Sequence, residues 1–170
     1  MKRLALLVVI VAAACATRPG GENVAYDLPS RDQYIAGGVS LFMEKRCGAL
    51  DCHGQEGRAL RIYSKDGLRL AKLDGGERDL RDTTPDERVE NYRTTVGLEP
   101  EQTSQCVQSA GDCSLLMLSL KPLDISGGGV RHKGGPVLRN SENDDGWMCL
   151  QTWLGGDVDP SRCQSAALLR

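Results

Sequence analysis

"RCGALDCHG", residues 46–54, places two cysteines and one of the chain's two histidines in a single short stretch, with a glycine directly behind. Such a grouping serves one of three ends. It closes a small disulfide loop, contributes ligands to a metal site, or holds a cofactor covalently. The compartment narrows the choice, because disulfides persist where the surroundings are oxidising.

The N-terminus speaks to the compartment. Lys2 and Arg3 precede an apolar run from Leu4 to Ala14. That run is too short to span a bilayer and ends in small residues, the pattern of a secretory signal rather than a membrane helix. Residues 1–14 are therefore expected to be removed on export. The sequence "AAAC", ending at Cys15, resembles the lipobox of bacterial lipoproteins, with Ala12 standing where that family usually has leucine. The resemblance implies a lipid on Cys15 as the new N-terminus. The chain would then be anchored to a membrane in the cell envelope, facing the periplasm, without crossing it.

Removing residues 1–14 takes away two basic residues and no acidic ones. Lys plus Arg falls from 21 to 19 against 23 Asp plus Glu, a net charge of −4. Nothing in that balance suggests a nucleic-acid partner. The remaining length suits one domain with a real core and not two. Its core is short of volume, because 20 glycines accompany only one Phe, two Trp and four Tyr. Disulfides, or a large flat cofactor, would supply the missing packing.

Helices separated by glycine-rich connections are expected along the chain. Residues 15–29 form a polar tether, "CATRPGGENVAYDLP". Ser30 with Gln33 forms a capping box, and Ile35, Val39 and Phe42 recur at helical spacing, predicting a helix over 31–46 that delivers Cys47 at its end. The stronger signal is "TTPDERVENYRTTVG": Thr84 as cap, Pro85 at the first position, Glu87 completing the box and Gly97 as stop. "CSLLMLSL", 113–120, is a buried helix or a strand. "LRIYSKDGLRL", 60–70, alternates like a small hairpin around Asp66-Gly67. A last helix carries Trp147, Leu150 and Leu154 on one face, with Trp153 beside it, and stops at Gly155 and Gly156. Asp144 and Asp145 are charge at its start rather than catalytic carboxylates. Residues 157–170 are a C-terminal tail.

Six cysteines remain after Cys15, an even number that invites bridges in an exported protein. Cys106 with Cys113, and Cys149 with Cys163, each close a short loop and are the preferred pairs, although four cysteines allow three connectivities. Cys47 and Cys52 are left with His53 beside them. They form a disulfide, or hold a cofactor, or join His53 and His132 as four zinc ligands.

"CGALDCHG" resembles the haem-attachment motif of c-type cytochromes. In that family two cysteines form thioethers with the haem, and the histidine directly after the second ligates iron. Cys52, His53 and Gly54 match that end of the motif; four residues separate the cysteines here where two are usual. The resemblance implies thioethers from Cys47 and Cys52 and an axial bond from His53. Cys52 and His53 are adjacent and so held by covalent geometry, while Cys47 only has to reach. Gly48 eases the longer turn, and Gly54 lets backbone approach the porphyrin edge.

The second iron ligand is expected from His132, in "ISGGGVRHKGGPVL", where glycines on both sides let the loop lie close against a flat ring. Some cytochrome-like domains of large bacterial surface proteins carry a similar segment before a final tryptophan-bearing helix. Met117 and Met148 are the alternatives, and methionine would raise the potential. Met43 lies one turn before Cys47 and belongs to the attachment side. No nucleophile motif, phosphate loop or metalloprotease motif is present, so no hydrolase is expected.

These observations predict a mainly α domain over 30–156, similar to a class I cytochrome c with long Gly-rich loops. It would carry one covalent haem c and pass electrons to a periplasmic or membrane redox protein. The competing expectation is a haem-free envelope lipoprotein, stapled by disulfides and acting as a binding or structural module.

Overall fold

The computed structural model describes residues 25–71, 82–109, 113–139 and 143–168, so Cys15 and the expected signal lie outside the described residues. Within them the helices are α1 (Arg31–Ala36), α2 (Val39–Arg46), α3 (Pro85–Val96), α4 (Pro100–Gln108), α5 (Met117–Leu120), α6 (Asp145–Leu154) and α7 (Pro160–Leu168). Cys113–Leu115 and Ile125–Gly127 form short 3-10 turns. No strand occurs among the described residues, only isolated bridges, and the fold is mainly helical as the sequence predicts. No helix among them is long and apolar enough to cross a membrane.

Local signals account for most helix ends. Thr84 Oγ1 accepts from Glu87 N, while Glu87 Oε2 accepts from Thr84 N, the complete capping box expected for α3. Asp144 caps α6 by accepting from Gly146 N and Trp147 N. "CSLLMLSL" resolves into a 3-10 turn and the short α5.

Several expectations need correction. The single helix over 31–46 is two helices, because Gly38 takes a φ of +88° and Gly37 leaves room that Val158 occupies: a Cβ there would lie 2.7 Å from its side chain. The capping box at Ser30 is half made. Ser30 Oγ accepts from Gln33 N, but the Gln33 amide reaches across to donate to the Gly156 carbonyl at 2.9 Å. The hairpin over 60–70 is a turn with one isolated bridge between Tyr63 and Leu68. The end of the tether is docked: Asp27 N donates to Ser104 Oγ, and Tyr92 Oη to the Pro29 carbonyl. The tail after 156, expected to be closed by a disulfide, also carries a helix, and that α7 packs on α6 and α2.

The core is centred on α6. Trp153 is fully buried, with Tyr34 at 5.1 Å and Tyr92 at 6.5 Å between ring centroids, and its indole N–H donates to the Ser30 carbonyl. Phe42 of α2 meets the start of α6 at Gly146, where a Cβ would come within 2.9 Å of the phenyl ring. Cys149 is bonded to Cys163, tying α6 to α7, and Cys106 to Cys113, closing the turn after α4. Both expected pairings are therefore formed, and their constraint acts mainly on the unfolded chain.

A buried ion pair closes the other flank of α3. Arg69 Nε and Nη2 donate to Glu87 Oε1 and Oε2 at 2.9 and 3.0 Å, and Leu70 N also donates to Oε1. Burial pushes the Glu87 carboxyl up, but these donors outweigh it and hold it below the usual carboxylate range.

Candidate cofactor site

The motif loop leaves α2 at Cys47 and folds back on itself. His53 N donates to the Cys47 carbonyl at 2.9 Å, while Cys52 N and Gly54 N both donate to the Ala49 carbonyl. The four intervening residues are thus taken up in a closed bulge. Gly54 is required by that closure, since a Cβ there would lie 2.2 Å from the Gly48 carbonyl oxygen. Gly67 approaches the same oxygen as closely, and Ser64 Oγ donates to it at 2.6 Å. The glycine expected to face a porphyrin edge therefore has a nearer reason in the backbone of its own loop.

His53 is held by the segment that follows. Its Nδ1 lies 2.9 Å from the Leu60 carbonyl oxygen, and its own carbonyl accepts from Ile62 N. That segment is in turn clamped to α3, where Asn91 accepts from Tyr63 N and donates to the Tyr63 carbonyl, and Thr94 donates to the Arg61 carbonyl. Asn91 is fully buried. An imidazole bonded through Nδ1–H to a carbonyl keeps Nε2 as its lone pair, the tautomer a metal ligand needs. Burial holds the His53 imidazole below its ordinary pKa despite the Leu60 carbonyl, and nearby His132 and Arg58 act in the same direction. The neutral form is therefore favoured at pH 7.

His132 arrives from a distant loop. The loop's stem is closed by Val137 N and Leu138 N donating to the Pro122 carbonyl and by Asp124 N donating to the Leu138 carbonyl. Arg46, the residue before Cys47, donates to the Val137 carbonyl at 3.1 Å and so ties this loop to the motif. His132 Nδ1 lies 2.9 Å from the Gly135 carbonyl oxygen, repeating the arrangement at His53. The two imidazole centroids are 5.8 Å apart and their planes differ by 17°.

Cys47, Cys52, His53, His132 and Met117 all line one cavity of about 580 Å³. Its apolar wall comes from Phe42 and Met43 of α2, Leu60, Leu118 of α5, Val137, and Leu150 of α6. Met148 packs against the core and is not among the lining residues. Cys47 and Cys52 are free thiols, unlike the other four described cysteines. Burial and the neighbouring Cys52 push Cys47 up to about 12, and burial followed by Asp51 raises Cys52. Both are thus protonated at neutral pH, unlike a reactive thiolate pair.

No protein family, curated protein or solved structure matches the chain.

The donor set discriminates between the expected occupants. Among the described residues no three His, Cys, Asp or Glu side chains converge as a metal-holding group. Cys47, Cys52, His53 and His132 therefore surround a space rather than a point, and are not set as a tetrahedral zinc group in this structure. A haem fits this arrangement, because its thioethers attach at the ring edge, away from the iron. The cavity volume lies in the roughly 300–1,000 Å³ range of cofactor pockets. An ion held by two imidazoles at about 2.0–2.1 Å per bond sets the nitrogens about 4 Å apart, with the ring centres further back. The two imidazoles here lie as a stacked pair with centroids 5.8 Å apart, near enough for one occupant of the cavity to meet both.

Sequence reasoning missed the supports. Leu60 acts through its backbone carbonyl, which every residue possesses, and Asn91 is an unremarkable helical polar residue in sequence. Arg46 offered a hint by preceding Cys47.

Proposed function

We propose that this chain is a single-haem c-type cytochrome, built as a cytochrome-c-like helical domain, that carries electrons in the cell envelope. The observation supporting it is that His53 and His132 stand together on a cavity that the free thiols of Cys47 and Cys52 also line. Cys47 and Cys52 would each add S–H across a vinyl double bond, sulfur to one carbon and hydrogen to the other, with no net oxidant. His53 would ligate iron through Nε2, and the Leu60 carbonyl fixes the tautomer that allows it. His132 would be the other residue to hold the iron in this reading; Met117, at the cavity but more than a third exposed, ranks behind it. The haem supplies reversible one-electron redox chemistry. The apolar wall of Phe42, Leu118 and Leu150 would keep water from it, and burial with the imidazoles of His53 and His132 would tune its potential. The partner would be a periplasmic or membrane redox protein, met by a chain that Cys15 tethers to the membrane.

A second reading, a haem-free envelope lipoprotein, draws support from the two disulfides that already staple the fold. An alkaline pyridine haemochrome spectrum with intact mass separates the two. Protein exported from a host with haem-attachment machinery should carry one covalent haem per chain, and Cys52→Ala should lose normal attachment. A colourless protein of apo mass, with Cys47 bonded to Cys52, would establish the second reading instead.

A further inference from the structure

The cavity carries four cations, Arg46, Arg58, Lys121 and Lys133, against one acid, Asp51. Two of them are committed to backbone. Arg46 Nη2 donates to the Val137 carbonyl at 3.1 Å, and Lys121 Nζ to the Arg131 carbonyl at 3.0 Å. Lys133 is exposed. Arg58 differs from all three. Its Nε is buried and has no hydrogen-bond acceptor among the described residues. A guanidinium is always charged, and a buried donor left without an acceptor is rare in native proteins unless a ligand, ion or water completes it.

The missing acceptor is narrowed by what surrounds the side chain. Arg58 stands in the wall beside Ala59 and Leu60, and its charge is felt at both Cys52 and His53. Asp51 lies in the same wall, but it is exposed and leaves Arg58 Nε unbonded. The cavity's contents can supply an acceptor for Nε, and the cation excess of the lining favours an anionic group there.

We propose that Arg58 binds a carboxylate of the cavity's occupant, a propionate of the haem, and so fixes which edge of the ring lies against the Cys52–His53 wall. The assignment rests on the haem reading. A planar guanidinium meets a carboxylate through two parallel N–H bonds, which orient the group as well as attract it. Arg58 acts on the haem through that edge and is a positioning residue for the iron. Its charge also offsets the propionate's, so the oxidised form gains no extra stabilisation from an unbalanced anion.

The test compares the exported holoprotein with Arg58→Gln and Arg58→Lys. Resonance Raman reads the propionate bending band, and redox titration reads the midpoint potential. Haem content should equal wild type in both variants, because Cys47 and Cys52 hold the ring covalently. Arg58→Gln should move the bending band to lower frequency and disfavour reduction by about tenfold, a fall of about 59 mV for one electron. Arg58→Lys keeps the charge and loses the fork, so its band should move while its potential stays near wild type; this decides the matter if the glutamine variant fails to fold. Wild-type band and potential in Arg58→Gln, with haem present, would overturn the assignment alone. A wild-type protein without haem would overturn both the assignment and the cytochrome reading.

Discussion

Around Trp153 the domain fills itself, whereas around His53 it stays hollow. Tyr34, Tyr92 and Trp153 meet ring to ring, and the Cys149–Cys163 bridge lies fully buried beside the same helix. A few residues along, Leu150 of that helix faces the cavity of about 580 Å³. Three of the chain's aromatic side chains thus meet in one region, and the other is walled by Phe42 with aliphatic groups, thiols and imidazoles. A shortage of aromatics does not thin a core evenly. It permits one dense anchor and one cavity, and an occupant of that cavity would act as the second half of the core.

The contrast can be broken first at its dense side. Trp153→Ala should cost about 3–5 kcal/mol, the usual loss for a fully buried tryptophan, measured by urea unfolding. A loss below about 1 kcal/mol would mean that this region is not the anchor. Next comes the link between the two regions. Asn91→Ala removes both bonds to Tyr63 and leaves buried backbone groups unpaired, so a loss of about 1–3 kcal/mol is expected. Because the same segment holds His53, the visible spectrum of the holoprotein should also shift; a destabilised variant with an unchanged spectrum would separate the clamp from the site. The smallest effect on stability is expected at His132. This half-buried loop residue should change stability by less than about 0.5 kcal/mol on replacement by alanine. Its effect belongs to the hollow side: on the haem reading, a low-spin spectrum should become high-spin with the haem still attached. An unchanged spectrum would rule His132 out as a ligand.

Much of the helical order is legible from short spans of residues. The Thr84-Glu87 box and the Asp144 cap depend on neighbours within one turn, so their side chains and backbone donors meet whatever the rest of the chain does. The break at Gly37-Gly38 is less visible. Glycine permits a left-handed turn without demanding one, and here the packing of Val158 against Gly37 selects it. The helix Pro160–Leu168 escaped notice for a similar reason, since its apolar face is mostly Ala166 and the bridged Cys163.

By itself the sequence determined what covalent adjacency and local spacing control: Cys52 next to His53, the capping box of α3 and the acidic start of α6; it favoured the two short-range cysteine pairs without fixing them. The tertiary structure alone decided which of the remaining donors share a space. His132 meets His53 because the Pro122–Leu138 stem and Arg46 bring a distant loop onto the motif, and Met148 stays in the core because its helix turns it away from the cavity lining. Those placements depend on the balance of many long-range contacts, each too weak to leave a mark on the residues that make it.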